Sequence, residues 1–198
     1  MQLDIPHGEF EGYIFDLDGT LVDTMPLHYE AWNRAMQNAG LKGALDKNRF
    51  YALGGVPSRL VAELLGKHHG VALDPDVVYK QKEAIFMSSL QRLELIGPVI
   101  DFARNVSKTH PVAVASGGTR EVVRSTLAKT GLAPLFSIVV TADDVEHGKP
   151  APDMFLLAAK RMNVLPERCL VFEDGEPGIQ AAMAAGMKHV FVPSRPLG

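Results

Sequence analysis

The feature that most constrains the fold of this chain is a series of short apolar runs separated by helix-like stretches. The runs are residues 13–17, 112–115, 138–140, 170–172 and 190–192. Their apolar residues follow one another without regular polar alternation, which is typical of strands buried on both faces of a parallel sheet. Helical spacing of apolar residues predicts helices over 120–130, 152–162 and 177–185. Strands that alternate with helices predict an α/β fold with a Rossmann-like parallel sheet and right-handed crossovers.

The stretch 25–95 interrupts this alternation, because it is helical in character throughout and shows no convincing strand. One face of its first predicted helix carries Leu27, Ala31, Trp32, Ala35, Met36 and Ala39. A later helix begins after Asp74, an N-cap residue followed by a first-turn proline. Its apolar stripe consists of Val77, Val78, Ile85, Phe86, Leu90 and Leu93. The sequence therefore predicts a catalytic core formed by 1–24 and 96–198, and a helical cap domain formed by 25–95.

The composition is that of an ordinary globular protein, with 46% hydrophobic and 22% charged residues in a chain of 198. The net charge of −3 provides no electrostatic footprint for nucleic acid, and no Lys/Arg run indicates a membrane surface. No apolar stretch approaches the ~20 residues that span a bilayer, and residues 1–10 lack the apolar part of a signal peptide. Because Cys169 is the only cysteine, no intramolecular disulfide can form, and we expect a cytoplasmic protein.

Ligands of open α/β sheets bind beyond the carboxyl ends of the strands, so the residues at these positions are candidates for a functional site. The polar residues that follow four of the predicted strands are Asp16, Asp18, Ser116, Lys149, Glu173 and Asp174. Each has a structural explanation when it is taken alone. Asp18 before Gly19 is a turn signal, Ser116 can cap the following helix, and Lys149 is typical of a solvated loop. Their combination, in this order and at strand ends, favours a catalytic site.

Four ordered segments resemble the motifs of the haloacid dehalogenase superfamily. They are Asp16-Leu17-Asp18-Gly19-Thr20-Leu21-Val22-Asp23, Ser116, Lys149-Pro150-Ala151-Pro152-Asp153 and Glu173-Asp174. The resemblance covers nearly the whole chain, including the helical insertion. It is greatest to the branch that contains β-phosphoglucomutase and small sugar-phosphate phosphatases. It implies the α/β core of that superfamily with a mobile cap inserted after the first strand.

The resemblance implies phosphoryl transfer from a small phosphorylated metabolite. Asp16 would attack phosphorus and become an aspartyl-phosphate, while Asp18 would protonate the leaving alkoxide and then activate water or an acceptor hydroxyl. Ser116 and Lys149 would hold the transferring phosphoryl group. The implied ligands of Mg²⁺ are Asp16, the main-chain carbonyl of Asp18, and Asp174, with Glu173 in support. Dehalogenation is not expected, because the dehalogenases of the superfamily lack an acid at the position of Asp18.

Three residues of the insertion match positions that contact substrate in the β-phosphoglucomutase branch: His28, Arg59 and Lys82. Without the resemblance, His28 is better explained as a helix-surface histidine, and Lys82 is as well explained by a solvated helix face. Arg59 follows Gly54-Gly55-Val56-Pro57-Ser58, which resembles the specificity loop of that branch. Its guanidinium could grip a second phosphate or a sugar acid.

The segment after Ser116 departs from the β-phosphoglucomutase pattern. Gly117, Gly118, Thr119 and Arg120 are candidate substrate-binding residues, but the mutase pattern prefers Ser-Lys-Asn at the last three of these positions. The chain also stops sooner after its fifth strand than typical mutases do. Both departures favour a phosphatase of small sugar or polyol monophosphates over a β-phosphoglucomutase. A third hypothesis is a catalytically silent binding protein on this fold. The presence of Asp16, Asp18, Lys149 and Asp174 together disfavours it. We expect a monomer.

Overall fold

The computed structural model describes residues 3–53 and 56–193, in which four successive helices interrupt an alternation of strands and helices. The strands are β1 (Gly12–Phe15), β2 (Val22–Asp23), β3 (Glu94–Leu95), β4 (Val112–Ala115), β5 (Ile138–Val140), β6 (Cys169–Glu173) and β7 (Lys188–Phe191). The α-helices are α1 (Met25–Asn38), α2 (Lys47–Tyr51), α3 (Ser58–His69), α4 (Pro75–Met87), α5 (Gly97–Val106), α6 (Arg120–Lys129), α7 (Asp153–Met162) and α8 (Glu176–Ala184). Short 3-10 helices lie at Leu90–Arg92, Ala142–Asp144 and Pro166–Arg168.

Five of the strands form one parallel sheet in the order β5-β4-β1-β6-β7. The central strand β1 places Phe15 beside Val114 of β4 and Phe172 of β6. Every residue of β4 and β6 is buried. Helices α5 and α6 pack on one face of the sheet, while α7 and α8 pack on the other. The prediction of a parallel sheet that is buried on both faces is therefore confirmed.

Local signals in the sequence mark the ends of these helices. Helix α6 ends just before Thr130 and Gly131, and α8 ends just before Ala185 and Gly186, as their sequence patterns predict. Helix α4 begins after Asp74, whose carboxylate accepts hydrogen bonds from the first-turn backbone. Within the described ranges, no helix is both long enough and apolar enough to cross a bilayer.

Helices α1 to α4 pack around an apolar cluster of their own, which includes Trp32, Phe50 and Leu65. A second cluster joins this helical layer to the sheet side of the molecule, because Phe86 of α4 packs with Val122 of α6. The predicted stripe of α4 is wrong at Val77, which is half exposed. The next residue, Val78, turns into the cluster in its place.

A short antiparallel ribbon lies where the chain passes between the predicted core and the predicted cap. Val22 of β2 pairs with Leu95 of β3, and Asp23 pairs with Glu94. The prediction that 25–95 contains no strand is therefore wrong at its last two residues. A two-residue strand is too short to produce a periodic pattern, so the sequence carried no signal for it.

Candidate active site

The candidate site lies at the carboxyl edge of the parallel sheet. Asp16 follows β1, Ser116 follows β4, and Glu173 is the last residue of β6. Lys149 reaches the same point from the segment between β5 and α7. Because parallel strands all end at one edge, residues that are distant along the chain come into contact there. The predicted convergence of these side chains is present in the structure.

Lys149 is the centre of a buried cluster of charges. Its Nζ donates one hydrogen bond to Asp16 Oδ1 and another to Glu173 Oε1, both at 2.5 Å. Each of these three residues is at most 6% exposed. Carboxylate oxygens of Asp16, Glu173 and Asp174 lie within 4.8 Å of one another. Three carboxylates thus share one ammonium group, which leaves excess negative charge in a place that water hardly reaches.

Burial, together with this excess charge, shifts the pKa values of the groups in the cluster. Burial, with smaller contributions from Glu173 and Asp174, raises the pKa of Asp16 well above its ordinary value, although Lys149 opposes the shift. Burial and the neighbouring Glu173 raise the pKa of Asp174 to about 7. Burial alone would lower the pKa of Lys149, but Asp16 and Glu173 raise it, so this side chain stays an ammonium. A second cation would relieve the repulsion among the carboxylates.

The residues present fit a divalent cation, since such ions prefer hard oxygen ligands. Asp16 and Asp174 are the better candidates to hold it, because both oxygens of Glu173 already accept hydrogen bonds, from Lys149 and from the backbone N–H of Gly175. The backbone also shapes this position. Gly19 has a φ of +87°, and a Cβ there would overlap the Asp174 carboxylate. The absence of a side chain at Gly19 therefore lets Asp174 lie against the end of β1.

We expect Gly19→Ala to lower both the free energy of unfolding and the affinity for a divalent cation. The positive φ disfavours any side chain, and the new Cβ would push the Asp174 carboxylate away. Together these effects should lower the free energy of unfolding by about 1–3 kcal/mol. Urea unfolding and a metal titration would measure the two effects. Gly43→Ala is the matched control, because Gly43 has a φ of +92° but open space around the added Cβ. Equal metal affinity in the two variants would contradict a role for the close approach.

Asp18 is held between the helical layer and the sheet. Its Oδ1 lies 3.3 Å from His28 Nε2, and its Oδ2 accepts a hydrogen bond of 3.2 Å from the Ser116 hydroxyl. Burial alone would raise the pKa of Asp18, but the hydrogen bond from His28, helped by the charge of Lys82, lowers it to about 2. Burial and then Lys82 lower the pKa of His28 below its ordinary value, although Asp18 opposes the shift. Since an ionised carboxylate only accepts, His28 Nε2 carries the proton and donates it to this hydrogen bond.

A cavity of about 270 Å³ lies between the strand ends and the helical layer. The charged cluster forms its floor, and its roof is mostly apolar: Met25, Trp32, Phe50, Tyr51, Leu53, Val56 and Val61. Three polar residues, Ser58, Lys82 and Glu83, also line it from the roof side. Lys82 is not on a solvated face, because it is only 3% exposed. Its Nζ lies near the Trp32 and Phe86 rings and 3.0 Å from Glu83 Oε1.

Most of the predicted site residues meet at this cavity. Those that line it are Asp16, Asp18, His28, Lys82, Gly117, Gly118, Lys149, Glu173 and Asp174. Ser116 contacts the site through its hydrogen bond to Asp18, and its hydroxyl also accepts the backbone N–H of Gly118. Because His28 pairs with Asp18, it is not the helix-surface histidine that its sequence pattern alone favours.

Besides Ser116, three predicted residues lie outside the set that lines the cavity. Arg59 is exposed on α3 and forms ion pairs with Glu63 and Asp76. Thr119 immediately precedes α6 as its N-cap residue. Arg120 is exposed and pairs with Asp144. Roles for these residues in substrate binding stay predictions, and Gly54 and Gly55 of the predicted specificity loop lie outside the described residues.

The sequence analysis missed several residues that line the cavity. It interpreted Trp32 only as a packing residue of α1, because an apolar stripe explained it. The sequence pattern places Ser58 in the predicted specificity loop without assigning it a role, and it does not single out Glu83. The position of Glu83 next to Lys82 was the one available signal, since an acid beside a buried lysine is a natural ion-pair partner.

Fold and site together define a parallel α/β enzyme whose carboxylate–lysine cluster lies at the strand ends beneath a helical cap. The family model described as haloacid dehalogenase-like hydrolase matches residues 10–186, and the chain belongs to this family. The fructose-1-phosphate phosphatase YqaB of Escherichia coli is 41% identical over 92% of this chain and 96% of its own length. A phosphorylated carbohydrates phosphatase of Thermotoga maritima is 31% identical over 91% of this chain and 84% of its own.

Solved structures of other proteins share this fold. A β-phosphoglucomutase from Clostridium difficile superposes with a TM-score of 0.80, covering 91% of this chain and 83% of its own. At 23% identity, this likeness shows the shared architecture alone. The predicted superfamily and fold class are confirmed.

Proposed function

We propose that this protein is a Mg²⁺-dependent phosphatase of small sugar or polyol monophosphates that works through an aspartyl-phosphate. The observation that carries the proposal is the contact of Asp16 with Lys149 in a buried cluster of carboxylates at the strand ends. Membership of the hydrolase family and the names of the two phosphatase relatives support the reaction class and the kind of substrate.

Asp16 is the proposed nucleophile. A carboxylate and a phosphate oxygen about 5 Å apart repel each other by roughly 3 kcal/mol at an effective dielectric constant of 20, so attack requires nearby cations. Lys149 provides one positive charge at 2.5 Å from Asp16. When bound to Asp16 and Asp174, Mg²⁺ would add the Lewis acidity that offsets the charge on the phosphoryl oxygens. Attack by the Asp16 carboxylate then forms the O–P bond of the aspartyl-phosphate as the bond to the leaving oxygen breaks.

Asp18 is the proposed acid and base. The phosphate dianion raises the pKa of this carboxylate by like-charge repulsion, so Asp18 takes up a proton as substrate binds. It donates that proton to the leaving alkoxide, and the regenerated carboxylate then removes a proton from water. The water oxygen attacks phosphorus, which releases inorganic phosphate and restores Asp16. Hydrogen bonds from His28 and Ser116 keep Asp18 in position through both steps.

The β-phosphoglucomutase alternative is not favoured. A mutase must hold a second phosphate while the sugar reorients, and that requires a free cation at the far end of the cavity. Arg59 and Arg120 both form ion pairs outside the residues that line it. The solved mutase with similar architecture shares the fold and carries no argument for its reaction here.

A phosphate-release screen over sugar and polyol monophosphates tests the proposed function. We expect release from one or a few of these esters with Mg²⁺, and none after removal of the metal with a chelator. A glucose-1-phosphate isomerisation assay, primed with the bisphosphate, runs alongside. Isomerisation without appreciable phosphate release would overturn the proposal in favour of the mutase, and no turnover of any ester would favour a binding protein.

A further inference from the structure

Glu83 is a charged residue of the cavity roof that the proposed mechanism does not use. It lies on α4, and its side chain is 18% exposed, at the cavity. Its Oε1 accepts hydrogen bonds from Lys82 Nζ at 3.0 Å and from the Ser58 hydroxyl at 3.3 Å. Its Oε2 is buried and has no hydrogen-bond partner among residues 3–53 and 56–193. A buried carboxylate oxygen without a donor is costly, so this carboxylate is one donor short.

Glu83 lines the cavity but its Oε2 is closed to solvent, so a ligand hydroxyl would reach this oxygen only after the carboxylate rotates. The terminal torsion of a glutamate is broad, so a small rotation lets both oxygens share the donors around them. Lys82 and Ser58 already occupy one side of the carboxylate, which holds Glu83 at the roof of the cavity. The leaving group of a bound phosphate ester would therefore meet a hydrogen-bond acceptor, the Glu83 carboxylate, at the cavity roof.

Glu83 also cancels the positive charge of the roof. Among the described residues that form the cavity roof, Lys82 carries the positive charge, and it forms an ion pair with Glu83. Burial and then Lys82 lower the pKa of the nearby His28, which disfavours a second positive charge there. A second phosphate or a carboxylate on the leaving group would meet no unmatched cation among the described roof residues. It would instead lie near the Glu83 carboxylate, and like charges repel strongly where water is excluded.

We propose that Glu83 determines specificity: it accepts a hydrogen bond from a hydroxyl of the leaving group and excludes leaving groups that carry a second anion. The inference rests on the proposed function and narrows its substrate to monophosphate esters of neutral polyhydroxy alcohols. The apolar roof formed by Trp32, Phe50 and Val61 suits the C–H surface of such a group, while Glu83 recognises its hydroxyls.

The test compares Glu83→Gln with the wild-type enzyme on three substrates. The first is the best sugar or polyol monophosphate from the screen, the second is p-nitrophenyl phosphate, and the third is the bisphosphate of the same sugar. We expect Glu83→Gln to lower kcat/KM for the first by about 10–100-fold, mainly through KM, as for loss of a hydrogen bond to a charged group. Its kcat/KM for p-nitrophenyl phosphate should change less than about 3-fold, because that ester has no hydroxyl to contact. Activity on the bisphosphate should rise relative to the monophosphate.

Two further variants separate the parts of the proposal. Glu83→Asp keeps the charge but shortens the side chain, so it should still reject the bisphosphate while losing the preference for hydroxyls. Glu30→Gln, at an exposed glutamate that pairs with Arg92 away from the cavity, is the matched control and should leave all three activities unchanged. Thermal melting checks that each variant is folded.

The outcomes for Glu83 and for the proposed function are distinguishable. If the wild-type enzyme hydrolyses none of the three esters with Mg²⁺, the proposed function fails. If it hydrolyses the sugar or polyol monophosphate, and Glu83→Gln changes the activities on all three esters alike or changes none of them, the phosphatase stands and the specificity role of Glu83 is overturned.

Discussion

Asp16→Asn is expected to reduce phosphate release by at least about 10⁴-fold, because an amide cannot form the covalent intermediate. The substitution should leave the protein folded and no less stable. Burial already disfavours the charge of Asp16, and Lys149 keeps its second partner, Glu173. Initial rates with the best substrate, together with thermal melting of the purified variant, measure both effects.

Asp18→Asn is the informative companion to this variant. It should retain attack on an ester with a good leaving group, such as p-nitrophenyl phosphate, but lose the base that activates water. We therefore expect turnover to fall by about 10²–10⁴-fold and a phosphorylated protein to accumulate, which intact-mass spectrometry would detect. Phosphorylation of the Asp16→Asn variant, or turnover by it near the wild-type rate, would contradict Asp16 as the nucleophile.

Lys149→Met and Asp174→Asn are expected to change stability in opposite directions while both abolish activity. Loss of Lys149 leaves three buried carboxylates without their cation, which should cost about 3–5 kcal/mol. Loss of the Asp174 charge removes repulsion from the same cluster, so the metal-free variant should be more stable than the wild-type protein near pH 8. Urea unfolding with and without Mg²⁺ makes the comparison.

The stability difference between the wild-type protein and Asp174→Asn should depend on pH in one direction. Burial and Glu173 raise the pKa of Asp174 from 3.8 to about 7 in the folded metal-free protein. A raised pKa contributes stability below about pH 4 that is lost as the pH rises towards 7. The wild-type protein without metal should therefore lose stability over this range more steeply than Asp174→Asn, and Mg²⁺ should restore it most above pH 7. Parallel pH profiles, or stabilisation of Asp174→Asn by Mg²⁺ equal to that of the wild type, would contradict the assigned role of Asp174.

The sequence by itself was enough to predict the sheet and the floor of the site. Strands such as β4 and β6 are buried on both faces, so their residues must be apolar in succession, and that pattern is visible without a structure. Parallel strands end at a common edge, so Asp16, Ser116 and Glu173 could be expected to meet there. Their order along the chain also matches the family to which the protein belongs.

Only the tertiary structure decided what the long side chains of the cap do. Lys82 and Arg59 look alike in the sequence as cations on helices, yet Lys82 is buried against Glu83 and two aromatic rings, while Arg59 is exposed and paired away from the cavity. The ribbon of β2 and β3 was likewise hidden, because two residues carry no period. Periodicity reports which face of an element is buried, but the partner of a charged side chain depends on elements that are distant in sequence. That is why the residues of the cavity floor could be predicted from the sequence, and the ion pair of the cavity roof could not.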